Sequence, residues 1–127
     1  MSKKKNKVLT LDDILKRKEF FESRKNEVIT LDIETLNCLV KVKKPDITLY
    51  NECMSMDSPE GDKRLIYECM VEPNLKNTEL IEAFDCFTPL DIVEKIFDPL
   101  EIYSLTSAII EVAGYNSVSK VIEETKN

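Results

Sequence analysis

The stretch that decides the fold is Asn77–Tyr115, which reads NTELIEAFDCFTPLDIVEKIFDPLEIYSLTSAIIEVAGY and holds most of the strongly patterned hydrophobic residues. Two helix-start signals occur in it. Thr88-Pro89-Leu90-Asp91 has a hydroxyl at the N-cap, proline at the first helical position and a carboxylate at N3, facing the positive helix end. Asp98-Pro99-Leu100-Glu101 repeats the pattern. Because a residue before proline is disfavoured in the α region, these signals predict a short helix that ends at Asp98 and a longer one after it.

The apolar residues after these signals have helical spacing. In the short helix they are Leu90, Ile92, Val93, Ile96 and Phe97. In the longer helix they are Ile102, Leu105, Ile109, Val112 and Ala113. Gly114 then provides the left-handed position that ends a helix without a steric penalty. A stripe this wide needs a partner surface, and the protein's own core is favoured over a ligand groove because apolar helical faces are the usual interior of α domains.

The N-terminal residues combine basic charge with an incomplete apolar face. Residues 1–9 contain Lys3, Lys4, Lys5 and Lys7 and are predicted to form a flexible basic tail. Thr10 and Asp13 form a capping-box signature, which predicts an amphipathic helix of about four turns at residues 10–25. Its apolar side chains are candidates for partner binding: Leu11, Ile14, Leu15, Phe20 and Phe21. Such a helix can dock on the body, exchange with a neighbouring subunit or hold a client, and its lysines can equally be solvated surface charge.

Residues 26–127 are predicted to form a single helical domain. Period-two alternation predicts a β-hairpin at about residues 27–44, which must lean on helices because two strands alone are marginally stable. Further helices are predicted after Asp46, at Lys63–Val71, after Asn77 and at Ser117–Thr125. The residues expected to face inward are Ile47, Tyr50, Met54, Leu65, Ile66, Cys69, Met70, Leu80, Ile81 and Phe84. The predicted fold is mainly α, of the α+β class: a compact bundle of short helices with a small N-terminal β-hairpin.

Four cysteines are spaced 15, 16 and 17 residues apart: Cys38, Cys53, Cys69 and Cys86. No C-x-x-C pair and no histidine occur, which argues against the usual zinc sites. Each cysteine has apolar neighbours, which predicts four reduced core thiols in a reducing cytoplasm. A nucleophilic thiol is disfavoured because no nearby cationic run lowers its pKa and no histidine can act as a base.

The sequence lacks the arrangements that catalysis needs. Its closely spaced acids, such as Asp91 with Glu94, fall at helix caps or on polar helix faces. Its two glycines, Gly61 and Gly114, are too few to cradle a phosphate. We therefore predict no enzyme activity, no cofactor and no bound metal, and a role in protein interaction.

Charge is distributed unevenly. The net charge is −6, but residues 1–25 carry nine basic and four acidic residues, which leaves a net charge of −11 on residues 26–127. An acidic body argues against a nucleic-acid surface, and the basic tail lacks interleaved aromatic residues. No apolar run approaches the roughly eighteen residues of a membrane span, and no apolar region follows the lysines as in a signal peptide.

The second half of the chain resembles the XkdN-like phage tail assembly chaperones. The shared elements, in order, are Pro73-Asn74-Leu75-Lys76, the Leu80–Phe84 helix, Pro89–Phe97, Leu100-Glu101-Ile102 and Ala113-Gly114-Tyr115. Members often have glycine where this chain has Leu100, and Pro99 before it stiffens the bend. The match covers about fifty consecutive residues with several spaced motifs, so it is more specific than any single motif.

The resemblance implies a late-expressed assembly factor of a long-tailed phage, a prophage or a related particle. Such a chaperone binds the tape measure protein, keeps its long helices from aggregating and helps to recruit tail tube protein. Self-association is a further expectation, as are a location in the host bacterial cytoplasm and absence from the mature particle. Many relatives also have a frameshifted, extended form, and we expect this chain to be the short one. The alternatives are a structural component of the tail and a small nucleic-acid-binding regulator that uses the basic arm.

Overall fold

The computed structural model describes residues 7–114 and 118–119. Within them the helices are α1 (Leu11–Lys16), α2 (Lys18–Ser23), α3 (Ile47–Met54), α4 (Glu60–Cys69), α5 (Thr78–Ala83), α6 (Asp91–Ile96) and α7 (Pro99–Val112). The strands are β1 (Val28–Ile33), β2 (Cys38–Lys43) and β3 (Met70–Glu72). The prediction of a mainly helical α+β fold is thus confirmed. Residues 1–6 of the predicted tail and most of the predicted helix at Ser117–Thr125 lie outside the described residues.

The strands form one antiparallel sheet in the order β1-β2-β3. β1 and β2 are the predicted hairpin, which follows α1 and α2, and its turn ends at Asn37 with a φ of 54° in the left-handed region that asparagine tolerates. The predicted helix at Lys63–Val71 is wrong at its end, because α4 stops at Cys69 and Met70–Glu72 pair with β2. The backbone of β2 supplies hydrogen-bond partners to these residues, and local helical spacing does not reveal that pairing.

The core lies between the inner face of the sheet and helices α4, α6 and α7. Helix α4 is central, since it contacts α3, α6 and α7. All four inward residues predicted for this segment, Leu65, Ile66, Cys69 and Met70, are buried. The other buried hydrophobic residues are Ile33, Val40, Val42, Cys53, Leu75, Ile92, Val93, Phe97, Ile102, Leu105 and Ile109. The predicted stripes of α6 and α7 are therefore the main helical contribution to this core.

Side-chain caps fix the starts of α6 and α7. The Asp98 carboxylate accepts a hydrogen bond from the Glu101 amide at 2.8 Å, and the Glu101 carboxylate accepts one from the Asp98 amide at 3.0 Å. This capping box confirms the predicted start of α7. At the earlier signal the Asp91 carboxylate accepts bonds from the amides of Phe87 and Thr88. Helix α6 begins only at Asp91, because a turn of tighter i to i+3 bonds precedes it.

Two residues of α4 join it closely to its neighbours. A Cβ atom at Gly61 would collide with the backbone carbonyl of Cys53, so only glycine lets α4 approach α3 this closely. The buried Lys63 ammonium donates to Glu60 at 3.0 Å and to Glu94 at 3.1 Å, which connects α4 to α6. Burial alone lowers the pKa of Lys63, but these two hydrogen bonds outweigh burial and leave the pKa raised.

Burial departs from prediction at several side chains. Helix α3 turns Cys53 and Leu49 toward the core and leaves Ile47 and Met54 exposed, because its contact with α4 runs past Cys53. Phe84 is also exposed, at the end of the short helix α5. The prediction of four core thiols is wrong for Cys38, which is exposed beside the hairpin turn, and only partly met by the half-buried Cys86.

Candidate partner-binding surface

Residues 11–26, which we call the N-terminal arm, are two short helices followed by a 3-10 turn at Arg24–Asn26. The predicted capping box is present, since the Asp13 amide donates to the Thr10 hydroxyl and the Thr10 amide donates to the Asp13 carboxylate, both at 3.1 Å. The prediction of one continuous helix at residues 10–25 is wrong, because Arg17 has a non-helical φ of −115° and ψ of 33°. Helices this short gain little stability from helix propensity alone. Neither α1 nor α2 buries a residue, so packing does not enforce one continuous helix.

The arm leaves its apolar side chains in solvent. No residue of α1 or α2 is buried. Leu11 is 74% exposed and Leu15 is 67% exposed, and Ile14 and Phe20 are also exposed, whereas Phe21 is half-buried. All five residues named from the sequence thus retain accessible apolar area, which is the property a partner-binding face requires.

The structure brings the two phenylalanines together at the bend of the arm. The ring centroids of Phe20 and Phe21 are 5.1 Å apart in an edge-to-face arrangement. The Arg17 guanidinium lies 4.2 Å from the Phe20 ring centroid and 5.6 Å from that of Phe21, within range of a cation–π contact. Leu11, Ile14 and Leu15 occupy one face of α1 by their i, i+3, i+4 spacing. The arm therefore presents an aliphatic group on α1 and an aromatic group on α2.

The arm is also lined with charged pairs that keep it soluble. Lys16 pairs with Asp12 at 3.2 Å and Lys18 with Glu22 at 2.9 Å, both at i, i+4 spacing on the exposed surface. Such pairs stabilise a helix by about 0.3–0.5 kcal/mol each. The hydrogen bond that the Asp13 carboxylate accepts from the Thr10 amide lowers the pKa of Asp13, so the cap stays charged at neutral pH.

A groove between strand β1 and helix α7 is a second surface feature, and sequence spacing does not indicate it. Its volume is about 450 Å³. Leu31, Ile33, Leu100, Leu105 and Ala108 give it apolar walls, and its other lining residues are Asp32, Glu34, Thr35, Asp98, Glu101 and Ser104. The Thr35 hydroxyl donates to the Glu101 carboxylate, which links the hairpin turn to the first turn of α7 at one end of the groove. Among the described residues, β1 is an edge strand of the sheet.

Other exposed apolar residues lie on the body. Phe87 precedes α6, and Leu100 and Tyr103 lie on the first turns of α7. Leu100 and Tyr103 fall outside the buried stripe of α7, so the helical period itself separates them from Ile102 and Leu105. Helical spacing alone is therefore enough to predict that these two side chains are exposed, although it does not predict the groove that Leu100 lines.

The titratable groups with shifted pKa values are caps, thiols and one ion-paired lysine. Burial raises the pKa of Cys69 to about 12 and raises that of Cys53 as well, so both thiols stay protonated and unreactive at neutral pH. The hydrogen bond from the Thr88 amide lowers the pKa of Asp91. Among residues 7–114 and 118–119, no group of three or more cysteine, aspartate or glutamate side chains is arranged to hold a metal ion.

In the part of the chain that the structure describes, no helix combines the length and hydrophobicity needed to cross a membrane.

Comparisons with known proteins give both a family and a fold. A family model described as "Phage XkdN-like tail assembly chaperone protein, TAC" matches residues 34–126, which is more than half of the 127-residue chain. A crystal structure described as that of the protein yqbn has a TM-score of 0.55 and 20% sequence identity, and the match covers 72% of this chain and 88% of that one. At this identity the likeness concerns the fold alone. A search of curated proteins gave no match.

Proposed function

This chain belongs to the family of XkdN-like phage tail assembly chaperones, and on that premise we propose that it binds the tape measure protein through its N-terminal arm and aids assembly of the tail tube. The role is non-catalytic. It is carried out in the host bacterial cytoplasm, and the chaperone is absent from the mature particle.

The observation that carries this proposal is the unburied apolar face of the arm. Leu11, Ile14 and Leu15 on α1 and Phe20 and Phe21 on α2 remain accessible although the rest of the chain has a well-packed core. Large exposed apolar patches on soluble proteins mark interaction sites, and the aliphatic group on α1 and the aromatic group on α2 are the candidates for such a site. A client with long amphipathic helices offers the complementary surface, since apolar anchors at i, i+3 and i+4 can interdigitate without any chemical step.

Two features of the structure fit a holding role. The arm begins with its own capping box, so α1 has a defined start without help from the body. The shifted pKa values described above belong to helix caps, buried thiols and the Lys63 ion pairs, and such groups serve structural roles. We therefore propose that assembly proceeds by binding and release of tail proteins, with tail tube protein as a second partner.

The test is co-expression of this chain with the tape measure protein of the same phage or prophage, followed by affinity capture and sedimentation. We expect the wild-type chain to keep the client soluble in a complex. The double variant Leu11→Ser with Leu15→Ser should lower the amount of captured client by at least about tenfold, since interface anchors commonly contribute more than about 1 kcal/mol each.

The matched control is Leu39→Ser with Phe87→Ser, because these apolar residues of the body are at least as accessible; Leu39 is 67% exposed, as is Leu15. We expect this control to capture client as the wild type does. Equal capture by wild type and arm variant would refute the arm as the binding surface. Co-purification of the chain with mature particles would instead favour the alternative of a structural tail component.

A further inference from the structure

The groove between β1 and α7 has apolar walls and an acidic border. Its lining residues include Asp32, Glu34, Asp98 and Glu101, and the described residues that line it include no lysine or arginine. The α7 N-terminus offsets part of the charge of Asp98 and Glu101, which are engaged in its capping box. Asp32 and Glu34 lie on the β1 side, away from that helix end. The groove therefore favours an apolar segment that carries positive charge.

The N-terminal arm has this composition. Residues 1–25 carry nine basic and four acidic residues, whereas residues 26–127 have a net charge of −11. The arm also offers Leu11 and Leu15 one turn apart on an exposed face, with Lys16, Arg17 and Lys18 directly after them. Its charge and its apolar anchors both complement the groove, and complementary charge increases the association rate and fixes the orientation of a complex.

The connection between arm and body argues against docking within one chain. Only Glu27 separates the 3-10 turn Arg24–Asn26 from β1, and it is extended, with φ of −65° and ψ of 141°. The arm leaves β1 at Val28, whereas the groove is lined by residues 31–35 at the opposite end of that strand. To enter its own groove, the arm must reverse direction at Glu27 and run back along β1.

We propose that the groove between β1 and α7 binds the N-terminal arm of a second copy of this chain. The contact is heterologous, because the arm of one copy meets a different surface, the groove, on the next. In a row of copies only the two end copies remain unsatisfied, one with a free arm and the other with a free groove, so the association continues until a ring closes or the row stops growing. Leu11 and Leu15 are the anchors, and Glu34, with Asp32 beside it on the outer face of the edge strand, supplies negative charge near the basic residues of the arm.

This self-association requires no client and goes beyond the function proposed above. The two contacts share Leu11 and Leu15, so a neighbouring groove and a tape measure helix compete for the same face of the arm. An arm held by a neighbour is protected while client is scarce, and rising client concentration shifts the arms out of the grooves by mass action.

The experiment is sedimentation of the purified full-length chain alone, with two variants that disable opposite halves of the contact. The groove variant is Asp32→Lys with Glu34→Lys, and the arm variant is Leu11→Ser with Leu15→Ser. All four positions are exposed, so the substitutions leave the core intact, and circular dichroism verifies the fold. The control is Asp57→Lys with Glu82→Lys, which makes the same change in charge at exposed positions outside the groove.

We expect the wild type and the control to self-associate, more weakly as salt concentration rises. Each disabling variant alone should lose at least about tenfold in association constant, about 1.4 kcal/mol, because it removes two apolar anchors or replaces two acidic residues by lysines that repel the basic arm. Mixed in equal amounts, the two variants should form a dimer and nothing larger, because the groove variant supplies an intact arm and the arm variant supplies an intact groove.

Three outcomes would overturn the proposal. A wild type that stays monomeric at all concentrations, including one whose arm is folded onto its own body, excludes binding between copies. A groove variant that associates as the wild type does places the contact elsewhere. A mixture of the two variants that stays monomeric shows that arm and groove do not bind each other. None of these outcomes depends on the tape measure protein, so they leave the proposed client binding to its own test.

Discussion

Helices α1 and α7 begin in the same way and lie in opposite environments. Each starts with a capping box, Thr10 with Asp13 and Asp98 with Glu101, and each has apolar residues at i, i+3 and i+4. In α7 the apolar residues Ile102, Leu105 and Ile109 are buried, whereas in α1 none is. Identical local patterns thus describe a core helix in one case and an exposed arm in the other.

The difference comes from the surfaces that each helix meets. Helix α7 packs against α4, α6 and β1, so its stripe is covered on several sides. Helix α1 meets α2, which is equally short and has no buried residue of its own. A helical apolar stripe specifies that a face needs a partner. Whether that partner belongs to the same chain depends on the positions of the other elements, and α1 and α2 of the arm bury no residue against them.

The largest expected difference in stability loss is that between a leucine-to-alanine substitution in α7 and the same substitution in α1. Leu105→Ala in α7 removes a side chain that is 4% exposed and should lower the free energy of unfolding by about 2–5 kcal/mol, through lost burial and the cavity left behind. Leu15→Ala in α1 should change it by less than about 0.5 kcal/mol. Urea denaturation followed by tyrosine fluorescence or circular dichroism measures both. A loss of 2 kcal/mol or more for Leu15→Ala, on the order expected of a core position, would mean that the arm is part of the core.

Removal of the two caps should give a smaller contrast. Asp98→Ala breaks the capping box of a buried helix and should cost about 0.5–2 kcal/mol of global stability. Thr10→Ala breaks the equivalent box in the arm, and its effect should be local fraying with less than about 0.5 kcal/mol of global change. Hydrogen exchange of individual amides separates the two effects. Faster exchange of core amides after Thr10→Ala cannot arise from local fraying, and equal global costs for the two variants would contradict the distinction between arm and core.

Acid titration should give the smallest contrast. Hydrogen bonds from backbone amides, chiefly of Thr88 for Asp91 and of Thr10 for Asp13, lower the pKa of each carboxyl below the ordinary aspartate value of 3.8. Each charged cap therefore contributes stability above that pH, and the contribution is lost as pH falls through the lowered pKa of the folded state. Asp91→Asn should reduce the acid dependence of global stability, because α6 belongs to the core. Asp13→Asn should alter only the helix content of the arm, and nuclear magnetic resonance titration of both carboxyls checks the direction of the shifts.

Local chemistry made much of the fold predictable. The Asp98-Pro99 signal located the start of α7, the period-two alternation located the hairpin, and the inward residues of α4 were found from spacing alone. These features depend on residues within one turn or one strand of each other. The exposed residues of the arm could also be named, because its apolar face is visibly incomplete, although the break at Arg17 was missed.

The missed features depend on distant residues. Strand β3 exists because the backbone of β2 lies beside Met70–Glu72, and Cys53 faces inward because Gly61 admits α4 against α3. The groove is formed by β1 and α7, which are more than sixty residues apart in the chain. No periodicity within either element indicates such a cleft.

The sequence by itself determined where helices and strands begin and which faces are apolar, because caps, proline and side-chain period act over a few residues. Only the tertiary structure decided which apolar faces are covered. Burial depends on whether another element of the chain can reach a face at packing distance, and for α7 three elements can. The same structure left the apolar side chains of the arm accessible and formed a groove with acidic lining residues at the far end of β1, and it is these two surfaces that we propose bind other proteins.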